Sequence, residues 1–219
     1  MTEQDWLQVG DPISMLEYVQ ASATDRKLRL FSIACYRAWW DKIEDDNAKL
    51  VVEFAERLAD EKLTKRERKL HNELFDDMFG DSEDGQLFVG GLTSDSMHHT
   101  YHVVVEAYGS NAASVISKLV LDSFAWGRAR PKERRRQCND IRDIFGNPFR
   151  PMTFDPKWQT PTVTAMAQAM YEDRDFTAMP ILGDALEEAG CINEDILQHC
   201  RGMSGHVRGC WVVDLLRKS

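Results

Sequence analysis

Cys191, Cys200, His206 and Cys210 fall in one short stretch near the C-terminal end of the sequence, at the spacing C-x8-C-x5-H-x3-C. Three thiols and an imidazole are the donors zinc prefers, and four of them converging can close a tetrahedral site. The same stretch reads equally as two amphipathic helices. Cys200 follows Ile196 and Leu197, and Cys210 precedes Trp211, Val212 and Val213, so each cysteine also fits as a small buried apolar residue. The flanking apolar residues suffice to explain the thiols, so no cofactor is expected; zinc is the ion this donor set would take.

A second candidate lies mid-chain. On a helix His98 and His102 share one face at i, i+4, and Glu106 continues it. Two histidines and a carboxylate can hold a catalytic zinc or iron ion. The H-E-x-x-H arrangement fails here, because position 99 is His and position 101 is Tyr, which leaves no general base between the ligands. Solvated or capping histidines explain this segment more simply. Glu172, Asp173 and Asp175 supply carboxylates for acid–base work, but they sit at a helix end with nothing opposite and read as surface. The sequence holds no P-loop, dinucleotide fingerprint or nucleophile elbow.

The elements that must position these residues are helices. Asp11-Pro12 is an N-cap followed by a first-turn proline, opening a helix to about residue 20. Thr24 or Asp25 caps the next, whose stripe is Leu28, Phe31, Cys35 and Ala38. Residues 46–62 repeat the pattern with Leu50, Val51, Phe54, Ala55 and Leu58, and Thr64 begins another helix. Gly80–Gly85 reads as an acidic turn, and a short hairpin is admissible near 86–92. Helices are expected over 95–108, 111–127, after Pro131, and over 161–172, 180–189, 193–201 and 206–217. The proline-punctuated run from Phe145 to Met152 cannot be helical. It is expected to anchor through Phe145, Phe149 and Trp158, and it separates an N-terminal helical region, 1–144, from a C-terminal one, 145–219. The expected fold is all-α, a single helical domain or bundle of about nine to ten helices.

Composition narrows the function classes. Of 219 residues, 43% are hydrophobic and 29% charged, enough for a sizeable core. No apolar run reaches the length of a membrane span, and the start has no signal-peptide pattern, so a soluble cytoplasmic protein is expected. A formal charge of -9 argues against general nucleic-acid binding. The basic run at 128–142 is the local exception. It lacks interleaved aromatic residues and reads as a solvated helix face paired with acidic neighbours. The five cysteines are expected to be reduced, with Cys35 and Cys138 in the core.

Three segments carry a resemblance: Asp25-Arg-Lys-Leu-Arg-Leu-Phe31, Asp143-Ile-Phe-Gly-Asn-Pro-Phe-Arg-Pro151 and His206-Val-Arg-Gly-Cys-Trp-Val-Val-Asp214. Together they resemble an uncharacterised bacterial protein family present in many copies in some large genomes. The resemblance covers most of the chain and is weakest over about 60–120. It implies that residues 1–60 and 137–219 form one recurring unit with a variable insert near 60–120, and it implies no catalytic residues. The family carries paired cysteines near the position of Cys35, where Ala34 stands here. The resulting expectation is a protein-interaction or regulatory module with an unidentified protein partner. A metal-dependent enzyme or a zinc-stabilised structural scaffold is the alternative.

Overall fold

The computed structural model describes residues 1–38, 40–42, 46–60, 64–70, 73, 131–202 and 205–217. Among these it is helical with no strand. The hairpin near 86–92 and the helices at 95–108 and 111–127 lie outside the described residues. The chain divides into two compact units: Met1–Val9 with Cys138–Ser219, and Gly10–Gln137. The division falls inside the helix that starts at Pro131, and the first nine residues belong with the C-terminal third of the chain.

In the Gly10–Gln137 unit the helices start where side chains satisfy their first amides. α1 (Glu3–Gln8) belongs to the other unit. α2 (Pro12–Val19) is capped by Asp11, whose carboxylate accepts from Ser14 N. α3 (Asp25–Arg37) is capped by Thr24, whose side chain accepts from Lys27 N. α4 (Asp46–Ala59) packs on α3 through Leu30, Ile33, Tyr36, Val52, Ala55 and Ala59. Thr64 and Glu67 form a reciprocal box at the next helical turn: each backbone amide donates to the other's side chain, at 2.9 and 3.3 Å. Cys35 and Cys138 are buried, as their apolar context predicts.

The α3–α4 interface also buries a charge. Glu56 is fully enclosed, and Arg37 grips both of its carboxylate oxygens, at 3.0 and 2.8 Å. A buried carboxylate stripped of such a partner retains its full desolvation penalty. Arg37→Met is therefore expected to cost about 3 kcal/mol. Adding Glu56→Gln should recover part of that loss, and chemical denaturation of the two variants checks both steps.

The second unit joins α1 to the end of α5 (Pro131–Phe145), then α6 (Pro161–Asp173), α7 (Met179–Glu188), α8 (Glu194–Arg201) and α9 (Trp211–Arg217). Proline occupies the first turn of α6, behind a Thr160 cap. One core serves α6 to α9. It contains Val163, Met170, Tyr171, Leu182, Leu186, Ile196, Cys200, Val212 and Leu216. α7 and α8 approach closely because position 183 is glycine: a Cβ there would lie 3.1 Å from Cys200 Cβ.

The proline crossing is held differently from the sequence expectation. Trp158 is buried, but Phe145 and Phe149 are only half-buried. Polar contacts do much of the holding. Asn147 donates to Glu3 at 2.8 Å, and Arg150 pairs with Glu3 and Asp195. Arg142 donates to the carbonyls of Trp6 and Val9, satisfying the open end of α1. Prolines remove backbone donors, so charged side chains reaching carbonyls and carboxylates take their place.

Candidate metal centre

α5 ends at Gly146, which adopts φ +72 and turns the chain out of the helix. This puts Asp143 in the last helical turn, buried, at the end where the helix macrodipole is negative. Burial and the dipole both disfavour a carboxylate there, so donors or a cation must meet it.

Donors come from two places. α8 brings His199, whose Nε2 lies 3.1 Å from Asp143 Oδ1. The loop before α9 brings His206, whose Nδ1 is 2.7 Å from the same oxygen, while Val207 N donates to Oδ2 at 2.9 Å. Helical spacing predicts a helix from 206, yet α9 starts only at Trp211. The reason is Gly209, at φ +98, a conformation that breaks a right-handed helix and costs glycine little. Residues 207–210 close a turn instead, with Cys210 N donating to Val207 O. Arg208 within that turn stacks on the buried Tyr171 ring of α6, 4.5 Å from its centroid. The loop is thereby fixed with His206 and Cys210 facing inward.

Cys210 Sγ completes the group, 3.2 Å from His199 Nε2 and 3.8 Å from His206 Nδ1. The donor atoms of Asp143, His199, His206 and Cys210 all lie within 4.8 Å of one another. Metal bonds of 2.0 to 2.3 Å at tetrahedral angles would set donors about 3.3 to 3.6 Å apart. The four separations given above run from 2.7 to 3.8 Å and straddle that range. The set is closed off from solvent: Asp143 and Cys210 are buried, and the His206 and His199 side chains are 5% and 15% exposed.

The electrostatics of the group are unbalanced by the protein alone. Burial pushes the Asp143 carboxyl up. Hydrogen bonds from His199 and His206 outweigh it and hold the group below the usual range. Cys210 moves the other way. Burial, then the Asp143 carboxylate, raise its thiol well above the ordinary value against the backbone amides of Val213 and Val212. His206 Nε2 is buried with no hydrogen-bond partner among the described residues. A divalent cation would change this arithmetic. One carboxylate, one thiolate, two neutral imidazoles and a 2+ ion sum to zero, which is the condition for burying such a set cheaply.

The candidate ligands read from the sequence separate accordingly. His206 and Cys210 meet. Cys191 and Cys200 do not join them and lie instead in the helical core. The Cys200 thiol is pushed up to about 12 by burial and then by Cys191. His98, His102 and Glu106 lie outside the described residues. Glu172, Asp173 and Asp175 are exposed. The described part of the basic run pairs with acids, as in Arg134–Asp11 and Arg136–Glu133. His199 and Asp143 have no counterpart among those candidates. His199 adjoins Cys200 but sits one position off the cysteine spacing, and Asp143 lies 63 residues from His206. The available signal was indirect: Asp143 opens one of the three resembling segments, and His206 opens another.

Comparison with family models, with curated proteins and with solved structures gives no match, so the chemistry of the site rests on its geometry. That geometry makes the carboxylate irreplaceable by its amide. In Asp143→Asn one acceptor becomes a donor facing Val207 N–H or the imidazoles. The substitution is expected to cost about 1–3 kcal/mol, the penalty for a buried donor left unmet. Urea unfolding against the wild-type chain measures it.

Proposed function

We propose that the unit formed by Met1–Val9 and Cys138–Ser219 is a zinc-stapled helical scaffold, and that the chain works as a protein-interaction module. The observation that supports the zinc staple is the convergence of Asp143, His199, His206 and Cys210, whose donor atoms lie within 4.8 Å, with Asp143 and Cys210 buried and the two imidazoles largely enclosed. Thiolate and imidazole donors favour zinc over calcium or magnesium. Four protein ligands fill a tetrahedral shell, which is the mark of a structural site; a catalytic site keeps one position open. The ion would tie the end of α5, the last turn of α8 and the start of α9 together, three elements separated in the chain by a proline crossing, two helices and three loops. Metal binding would then add directly to folding energy, because no such site exists in the unfolded chain.

Full-length protein is expected to carry about one zinc per chain by elemental analysis. Chelation should lower its thermal midpoint by at least about 5 °C, the shift that roughly 2 kcal/mol produces at this size. His206→Ala and Cys210→Ser should lose the metal, while Cys191→Ala and Cys200→Ala should keep it. Protein that purifies without zinc, takes up none when it is added, and melts identically with and without chelator overturns the reading.

A further inference from the structure

His199 touches more than the metal cluster. Trp211 Nε1 lies 3.2 Å from His199 Nδ1, and the two rings are 5.1 Å apart between centroids. An indole N–H can only donate. His199 Nδ1 therefore presents a lone pair to it, and the single proton of the neutral imidazole sits on Nε2. There it points at Asp143 Oδ1, 3.1 Å away. The ring is thus satisfied at both nitrogens by protein alone: Trp211 donates to Nδ1, and Nε2 donates to Asp143.

Zinc at Nε2 needs the lone pair of that nitrogen, so the ring proton must move to Nδ1. Nδ1–H and Nε1–H would then face each other at 3.2 Å, two donors with no acceptor between them. Loss of the second proton would relieve the clash only by adding an imidazolate to a buried site that already holds a carboxylate and a thiolate. Moving the indole is the cheaper escape, and Trp211 has a neighbour that would register the move. A Cβ placed on Gly146, at the turn that ends α5, would lie 3.4 to 3.6 Å from three Trp211 ring atoms.

Resting on the zinc reading above, we infer that loading the site turns the Trp211 indole away from His199, so that metal occupancy is passed to the Gly146 turn. Occupied and empty forms then differ in two places. The His199 proton changes nitrogen, and the indole N–H exchanges an imidazole acceptor for a different environment. The site becomes one with two states, and Trp211 is the positioning residue that distinguishes them.

The test uses full-length, 15N-labelled protein stripped of metal and then given one equivalent of zinc sulfate. Elemental analysis of the desalted sample measures binding independently of Trp211. The Trp211 indole resonance is assigned by triple-resonance experiments, so this arm needs no variant. On zinc addition the indole proton should shift upfield as its imidazole acceptor is lost. Long-range 1H–15N spectra should show the His199 proton relocating from Nε2 to Nδ1. Trp211→Phe, which removes the opposing N–H, should bind zinc about threefold to tenfold more tightly, the equivalent of one ordinary hydrogen bond. Stoichiometric zinc with an unmoved indole signal and the proton still on Nε2 overturns the inference and leaves the zinc reading standing. Unchanged or weaker zinc affinity in a folded Trp211→Phe also overturns it. Failure of the wild-type chain to take up zinc removes both.

Discussion

A carboxylate buried at the negative end of a helix is the constraint on which the C-terminal unit is organised. Asp143 meets both penalties at once, desolvation and an adverse dipole. Everything around it is arranged to meet that charge: two imidazoles from different elements, a backbone amide, and a thiol held in the same pocket. The loop that carries His206 is shaped by Gly209 and pinned by Arg208 on Tyr171. Gly146 ends α5 just after Phe145 and so leaves Asp143 in its last turn. These features lie far apart in sequence, yet each is required by the same buried charge.

Local rules made the helices legible. Asp11-Pro12, Thr24, Thr64, Thr160-Pro161 and Asn193 mark helix starts through side-chain oxygens and proline, which act within three residues of their own position. The faces through which α3 and α4 meet were less legible: Ile33, Tyr36, Val52 and Ala59 lie at that contact beside Leu30 and Ala55, while Phe54 and Leu58 of the expected stripe pack in a separate cluster. Two expectations failed for a common reason. Residues 206–210 have helical periodicity but are held as a turn, because a glycine at positive φ and a distant carboxylate outweigh propensity. Phe145 and Phe149 are aromatic enough to be anchors, yet the crossing is tied down through Asn147 and Arg150. In both cases the deciding partner lies tens of residues away.

Half of the candidate site could be read from the sequence. His206 and Cys210 were visible because their spacing is local. Asp143 and His199 were not, because a ligand set drawn from the end of one helix, the last turn of another and a loop has no spacing rule. Cys191 and Cys200 show the converse hazard. Cysteines at plausible metal spacing can all be buried in one small helical unit while only one of them reaches the donor cluster, since burial alone accounts for the rest.

The docking of α1 has a consequence for the order of events at the ribosome. This helix leaves the exit tunnel early, yet Arg142, Asn147 and Arg150, which hold its carbonyls and its Glu3, follow more than 130 residues later. During synthesis Trp6, destined for complete burial, therefore waits without its partners while the whole intervening unit is made. A nascent chain of this design carries that indole unpartnered throughout the interval, and α1 can dock only once residues 142–150 have been made.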